Sequence, residues 1–127
     1  MSQIKFTETH EWLRIEDDGT GVIGITDYAQ KMLGDLVFVG LPEVGQELAQ
    51  GGEGATIESV KAAGEIHMPV AGTVTEINAS LADDPAQVNS DPLGAGWFLK
   101  IRIADPAQAD ALLDQAAYDQ FVASLDA

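Results

Sequence analysis

A single lysine, Lys61, stands within IESVKAAGEIHMPVAGTV (residues 57–74), between two runs that alternate as β-strands do. The chain has only three other lysines, Lys5, Lys31 and Lys100. A lysine at a hairpin tip admits four roles. It can be a plain solvated turn residue, or a Schiff-base nucleophile, which needs a pKa depressed by burial or by a cationic neighbour. It can also be the attachment point of a carried group, either lipoyl or biotinyl. Glu58 and Glu65 are the nearest charges in sequence, and they act against the nucleophile. VKAAG is also a poor generic turn, with no Asn-Gly or Asp-Gly and its nearest glycine, Gly64, three residues on. Such a turn is shaped for something other than ease of folding. Acylation would remove the lysine's charge. Four methylenes plus a lipoyl chain would span on the order of 10–15 Å, enough to enter the active sites of separate enzymes.

Other chemistries are thinly supplied. There is no cysteine, which excludes disulfides, thiolate catalysis and zinc–thiolate sites. The two histidines, His10 and His67, are too few for most histidine-based metal sites, and both read as structural. Asp and Glu total 21 against 6 Lys and Arg, a net charge of −15. Such a surface repels phosphate backbones and anionic headgroups, so nucleic-acid and membrane roles are disfavoured. It suits partners with basic patches, and equally plain solubility or a saline habitat. No apolar run approaches the ~18 residues of a membrane span. MSQIKFTETHEW lacks both an apolar leader core and an Arg-rich amphipathic leader, so a bacterial-type cytoplasm or a processed form is expected.

The elements that must hold Lys61 follow from periodicity and turn residues. With 127 residues and 46% hydrophobic content, one domain with one core is expected over residues 1–127. Residues 4–6 are a short apolar start, and strands are expected within THEWLRIE, at VIGI (residues 22–25) and over the apolar run 36–41 that Pro42 ends. TDYAQKMLGD predicts a short helix with Asp27 as N-cap and Gly34 as a left-handed stop. Strands over residues 55–60 and 65–70 flank Lys61, and AGTVTEIN adds another after a turn at Gly72. Residues 79–96 read mostly as loop, with a helical turn capped by Asp84. WFLKIRI predicts a strand with Trp97, Leu99, Ile101 and Ile103 inward, and Trp97 and Phe98 both read as core. Asp105-Pro106 starts a helical tail over about 105–126, whose Tyr118, Phe121, Val122 and Leu125 form a core-facing stripe. The sum is a mainly β body, about residues 4–103, with a small helix and a helical C-terminal segment.

GITDYAQKMLGDLVFVGLPEVG, ESVKAAGEIHMPVAGTVTEIN and NSDPLGAGWFLKIRIADPAQADALLD, with the early THEW, resemble the H protein of the glycine cleavage system. The likeness runs in order from about Phe6 to the last helix. It implies a hammerhead, or barrel-sandwich hybrid, fold with lipoic acid covalently bound to Lys61. In that family the arm accepts the aminomethyl group of glycine from the glycine decarboxylase (P protein). It presents the group to the aminomethyltransferase (T protein), and dihydrolipoyl dehydrogenase (L protein) reoxidises the dithiol. The carrier is not an enzyme. A lipoate ligase, or a lipoyl or octanoyl transferase, is implied as a further partner, and a monomer is expected. Biotin carriers typically flank the lysine with methionines, whereas the neighbours here are Val60 and Ala62.

The resemblance also implies a cleft that shelters the cationic arm with carboxylates and little water. Mapped by position, Thr9 and Glu11 come from the THEW segment and Glu65 from just beyond the lysine turn, where aspartate is more familiar. Met32 stands where some relatives carry a histidine. Glu58 is the candidate contact for the lipoate-attaching enzyme. Two rival readings are a lipoyl relay that hands the group on to 2-oxoacid dehydrogenase subunits, and an unmodified binding module. The intact ESVKA stands against the second, since a disused site would be free to lose its lysine.

Overall fold

The computed structural model describes residues 3–126. Nine strands form: β1 (Gln3–Phe6), β2 (Glu11–Ile15), β3 (Thr20–Ile25), β4 (Leu36–Gly40), β5 (Glu47–Leu48), β6 (Glu53–Ser59), β7 (Ala63–His67), β8 (Gly72–Ile77) and β9 (Leu99–Ile103). Helices α1 (Asp27–Leu33), α2 (Ser80–Asp83), α3 (Ala86–Ser90) and α4 (Gln115–Asp126) join them, with a 3-10 helix over Pro106–Ala111. One sheet has the order β1-β2-β3-β9-β8-β5 and the other β4-β6-β7, and every pairing is antiparallel. The protein is mainly β, with short helices and a C-terminal helix.

Alternation explains what the sheets enclose. Leu13, Ile23, Ile66, Leu99 and Ile101 each put the apolar face of a strand into one core, where all five are fully buried. Burying each such side chain contributes roughly 1.5–3 kcal/mol. A second cluster lies on the outer face of the β1–β3 meander, where α4 seals Phe6, Trp12 and Val22 beneath Tyr118. The Phe6 and Tyr118 rings stack 4.6 Å apart. Phe6 N donates to Leu113 O at 2.7 Å and Phe6 O accepts from Leu113 N at 2.9 Å, which ties the chain before α4 to the sheet edge. Trp12 lies against Gly24, where a β-carbon would come within 2.7 Å of the indole.

Several expectations are corrected. Thr26, not Asp27, caps α1: its backbone is extended and its hydroxyl accepts from Ala29 N at 3.3 Å. Asp27 sits in the first turn and pairs with Lys31 at 2.9 Å. Gly34 has the positive φ expected of a stop, 76°, but its ψ of −159° lies outside the left-handed helical region. Residues 79–96 hold two short helices rather than mostly loop, because Leu81 and Val88 each reach the core. Asp84 makes no side-chain cap there. Phe98 is fully buried, whereas Trp97 is only partly so and packs under Lys100, whose Nζ is 5.0 Å from the ring. A bulge between Leu36 and Phe38 turns both Val37 and Phe38 outward, so this apolar strand is only half buried. The 105–126 tail opens as a 3-10 helix, and Leu125 at the far end of its stripe is exposed.

Candidate functional site

The turn that looked unfavourable in sequence is closed by a side chain. Ser59 N donates to Ala62 O at 2.7 Å, leaving Val60 and Lys61 as the two loop residues. The Ser59 hydroxyl accepts from Lys61 N at 3.2 Å and Ala62 N at 3.0 Å, and donates to Ala62 O at 3.1 Å. Serine thus does locally what a glycine turn would do by backbone freedom. Neither loop residue has positive φ, so the mirror-image hairpin turns are not used. The tip is also tethered to the segment after α1, since Val60 N donates to Asp35 O at 3.0 Å. Lys61 is exposed, but its methylenes pass over Gly34: a β-carbon there would lie 3.4 Å from Cε and 3.6 Å from Cδ. The lysine therefore leaves the tip alongside the C-terminal end of α1.

The inner face of α1 leads to a cleft of about 210 Å³ that brings Thr9, Glu11 and Glu65 together. Ile25, Ala29, Met32, Leu33 and Ile57 give it apolar walls. Glu11, the first residue of β2, is 2% exposed. Its Oε1 accepts from the Thr7 hydroxyl at 2.6 Å and from the Thr9 hydroxyl, and its Oε2 accepts from His67 N at 3.3 Å. A carboxylate taken out of water needs such donors or a cation. His67 Nδ1 lies 4.0 Å from Oε2, and no Lys or Arg pairs with Glu11 among the described residues. The site is therefore a buried carboxyl group with its hydrogen bonds made and no Lys or Arg partner among the described residues.

The remaining candidates separate. Glu65 reaches the rim of the cleft, and its carboxylate approaches that of Glu53. The hydrogen bond and repulsion between the two push the Glu53 carboxyl up from its ordinary value, with His67 partly offsetting them. Glu58 lies away from the cleft, on the outer face of β6 opposite Phe38 and Ala63, and exposed. Met32 lines the cleft while remaining 60% exposed.

Three residues escaped the sequence reading. Thr7 supplies the second hydroxyl to Glu11, and its oxygen also accepts from Glu11 N at 3.0 Å. His67 reaches Glu11 through its amide, which no side-chain pattern reveals. His10, in the loop between β1 and β2, also lines the cleft, and burial lowers its pKa from the ordinary value. The spacing of Thr7, Thr9 and Glu11 at every second residue was the available signal for the first. Among the described residues no group of three or more His, Asp or Glu is placed to hold a metal ion, and no helix is long and apolar enough to cross a membrane.

Comparison with known proteins covers the whole site. A family model described as glycine cleavage H-protein matches residues 4–125. The chain is similar to the glycine cleavage system H protein of Rhodospirillum rubrum, 60% identical over 126 residues, which are 99% of this chain and 100% of that one. It is 52% identical to glycine cleavage system H protein 1 of Pseudomonas putida, covering 99% and 98% of the two chains. The crystal structure of a glycine cleavage system H protein from Mycobacterium marinum matches with a TM-score of 0.86 at 33% identity, covering 98% of each chain.

Proposed function

The chain belongs to the glycine cleavage H-protein family, a family of lipoyl carriers rather than enzymes, and from that premise we propose that Lys61 bears the lipoyl group and that Glu11 guards its loaded end. The chain acts as one carrier domain, a monomer with one arm. It meets the glycine decarboxylase, the aminomethyltransferase and dihydrolipoyl dehydrogenase in turn, and a lipoate-attaching enzyme before any of them. When bound, the lipoyl group supplies the sulfur that takes up and releases the aminomethyl unit of glycine.

This chain's own residues supply the rest. Ser59 holds the tip in one conformation, so an attaching enzyme meets a preformed turn. The lysine stem runs past Gly34 at the C-terminal end of α1. Ile25, Ala29, Leu33 and Ile57 give a hydrocarbon arm an apolar wall and exclude water. Glu11 Oε2 is the acceptor for the ammonium end, where its charge favours the protonated amine. Thr7 and Thr9 hold the carboxylate still, so the site needs no rearrangement when the cation arrives. Glu65 adds negative charge at the rim, and Glu58 faces outward beside Lys61, where the attaching enzyme would dock.

The observation that carries this reading is the buried Glu11 carboxyl group, hydrogen-bonded but with no Lys or Arg partner among the described residues, in an apolar cleft beside the helix over which Lys61 lies. Intact-mass measurement of protein produced with an active lipoate ligase tests the attachment. One lipoyl adduct is expected, absent in Lys61→Arg; an unmodified mass would refute it.

A further inference from the structure

Among the described residues His10 is the only non-glycine with positive φ, at 72°. A histidine pays conformational energy there and stays only where its surroundings over-determine it. Here they act through backbone and ring together. His10 N donates to Thr7 O at 3.1 Å, and His10 O accepts from Thr26 N at 2.9 Å. The imidazole Nδ1 lies 2.9 Å from the Tyr118 hydroxyl, which lies 2.7 Å from the Thr26 hydroxyl. Tyr28 covers the ring with centroids 4.6 Å apart, and Phe121 stands 5.9 Å away. The His10–Tyr118–Thr26 chain closes whichever way its protons run, because both hydroxyls can donate or accept and a neutral imidazole offers one of each. Burial also lowers the pKa of His10, which favours a neutral ring and keeps a second cation away from Glu11.

The position of this residue gives the contacts a purpose. His10 lies between Thr9 and Glu11, so its backbone twist decides where the Thr9 hydroxyl and the Glu11 carboxylate point. Helix α4 otherwise covers an outer face of the sheet, yet it sends one hydroxyl through to this turn.

We infer that Tyr118 and His10 are positioning residues of the arm cleft: the Tyr118 hydroxyl locks His10 in its left-handed conformation, and this aims Thr9 and Glu11 at the cationic end of the carried group. The inference rests on the role of Glu11 proposed above.

Tyr118→Phe isolates the hydroxyl, since the ring stacked on Phe6 remains. The first readout uses the protein without its arm: amide hydrogen exchange at His10 and Glu11, held by Thr7 O at 3.1 Å and Thr7 Oγ1 at 3.0 Å. Losing one hydrogen bond from the turn should speed exchange at these two amides by about 2- to 10-fold, with the amides of Leu13 and Ile23 unchanged. The second readout is the half-life of the aminomethyl group on protein loaded by the glycine decarboxylase, at a temperature where every variant is fully folded. A merely structural contribution cancels under that condition. Tyr118→Phe and His10→Gly should both shorten the half-life, again by about 2- to 10-fold. His10→Asn, which tolerates positive φ and keeps a polar atom near Tyr118, should lie closer to the parent than His10→Gly does. Exchange and half-life unchanged in both Tyr118→Phe and His10→Gly, while Glu11→Gln shortens the half-life, would overturn the inference and leave the cleft reading standing. An unchanged half-life in Glu11→Gln removes the cleft reading, and this inference with it.

Discussion

Replacing Glu11 by glutamine removes one charge and almost nothing else. The side chain keeps its shape, and its hydrogen bonds can be rebuilt with one flip. If the amide oxygen faces His67 N, now 3.3 Å from Oε2, the amide nitrogen faces Thr7 and Thr9, whose hydroxyls rotate to accept. No buried polar atom is stranded, so the melting temperature should move little. What is lost is the charge on the proposed acceptor of the ammonium end. Hydrogen bonds to charged groups contribute about 1.5–3 kcal/mol net, and at about 1.36 kcal/mol per tenfold that is a factor of about 10 to 150 in the sheltered population. The loaded arm of Glu11→Gln should therefore lose its aminomethyl group at least about tenfold faster. The assay loads parent and variant to equal extent and follows ammonia or formaldehyde release with time. Raising the ionic strength should change the ratio little, because a 2%-exposed carboxylate is poorly screened. Equal release from the two proteins, at matched loading, would take Glu11 out of the cleft's chemistry.

Gly34→Ala tests the path of the lysine stem: its φ of 76° and ψ of −159° fall in a glycine-only region, so about 1–3 kcal/mol of stability should be lost. Because the added carbon would only reach ordinary contact with the Lys61 stem, 3.4 Å from Cε, lipoylation of the folded variant should be unchanged, and a thermal melt with a mass-spectrometric time course reads both effects. Ser59→Ala removes the turn's hydroxyl contacts and should cost about 1 kcal/mol, with faster amide exchange at Lys61 and Ala62 and slower lipoylation; an unaltered tip would mean the turn holds itself. The lowered pKa of His10 sets a pH dependence whose sign follows from linkage. Between its folded value and the ordinary 6.5, the unfolded chain binds the extra proton, so stability should fall as pH drops through about 6.5. Denaturant titrations of the parent and His10→Asn should converge in slope against pH only if this is wrong.

What the sequence revealed of this site, and what it withheld, divides by the range of the interaction. Alternation places Ala55 and Ile57 inside and Thr56 and Glu58 outside, and the structure agrees, because strand period is a local property. The apolar run 36–41 gave no such face assignment, and one bulge where β4 meets β6 leaves Val37 and Phe38 outside. Trp97 and Phe98 were both read as core; they precede β9, where only Phe98 is fully buried, and the flat Trp97 ring finds cover under Lys100 instead. Lys61 was legible as a tip, but the reason its turn closes is a serine hydroxyl, which a search for glycine passes over. Glu11 is the sharper case. A carboxylate at the start of a strand reads as solvated, and nothing within five residues except Thr7 and Thr9 argues otherwise. The decisive partners are distant: His67 is 56 positions away, and Tyr118, acting through His10, is 108 positions from that histidine. A carboxylate stays buried only where donors converge on it, and these donors converge through two separate chain closures. The proposed guarding group is therefore a property of the assembled fold, whereas the proposed carrying lysine is a property of one hairpin. The two can fail independently: an altered α4 should leave lipoylation intact while exposing the loaded arm.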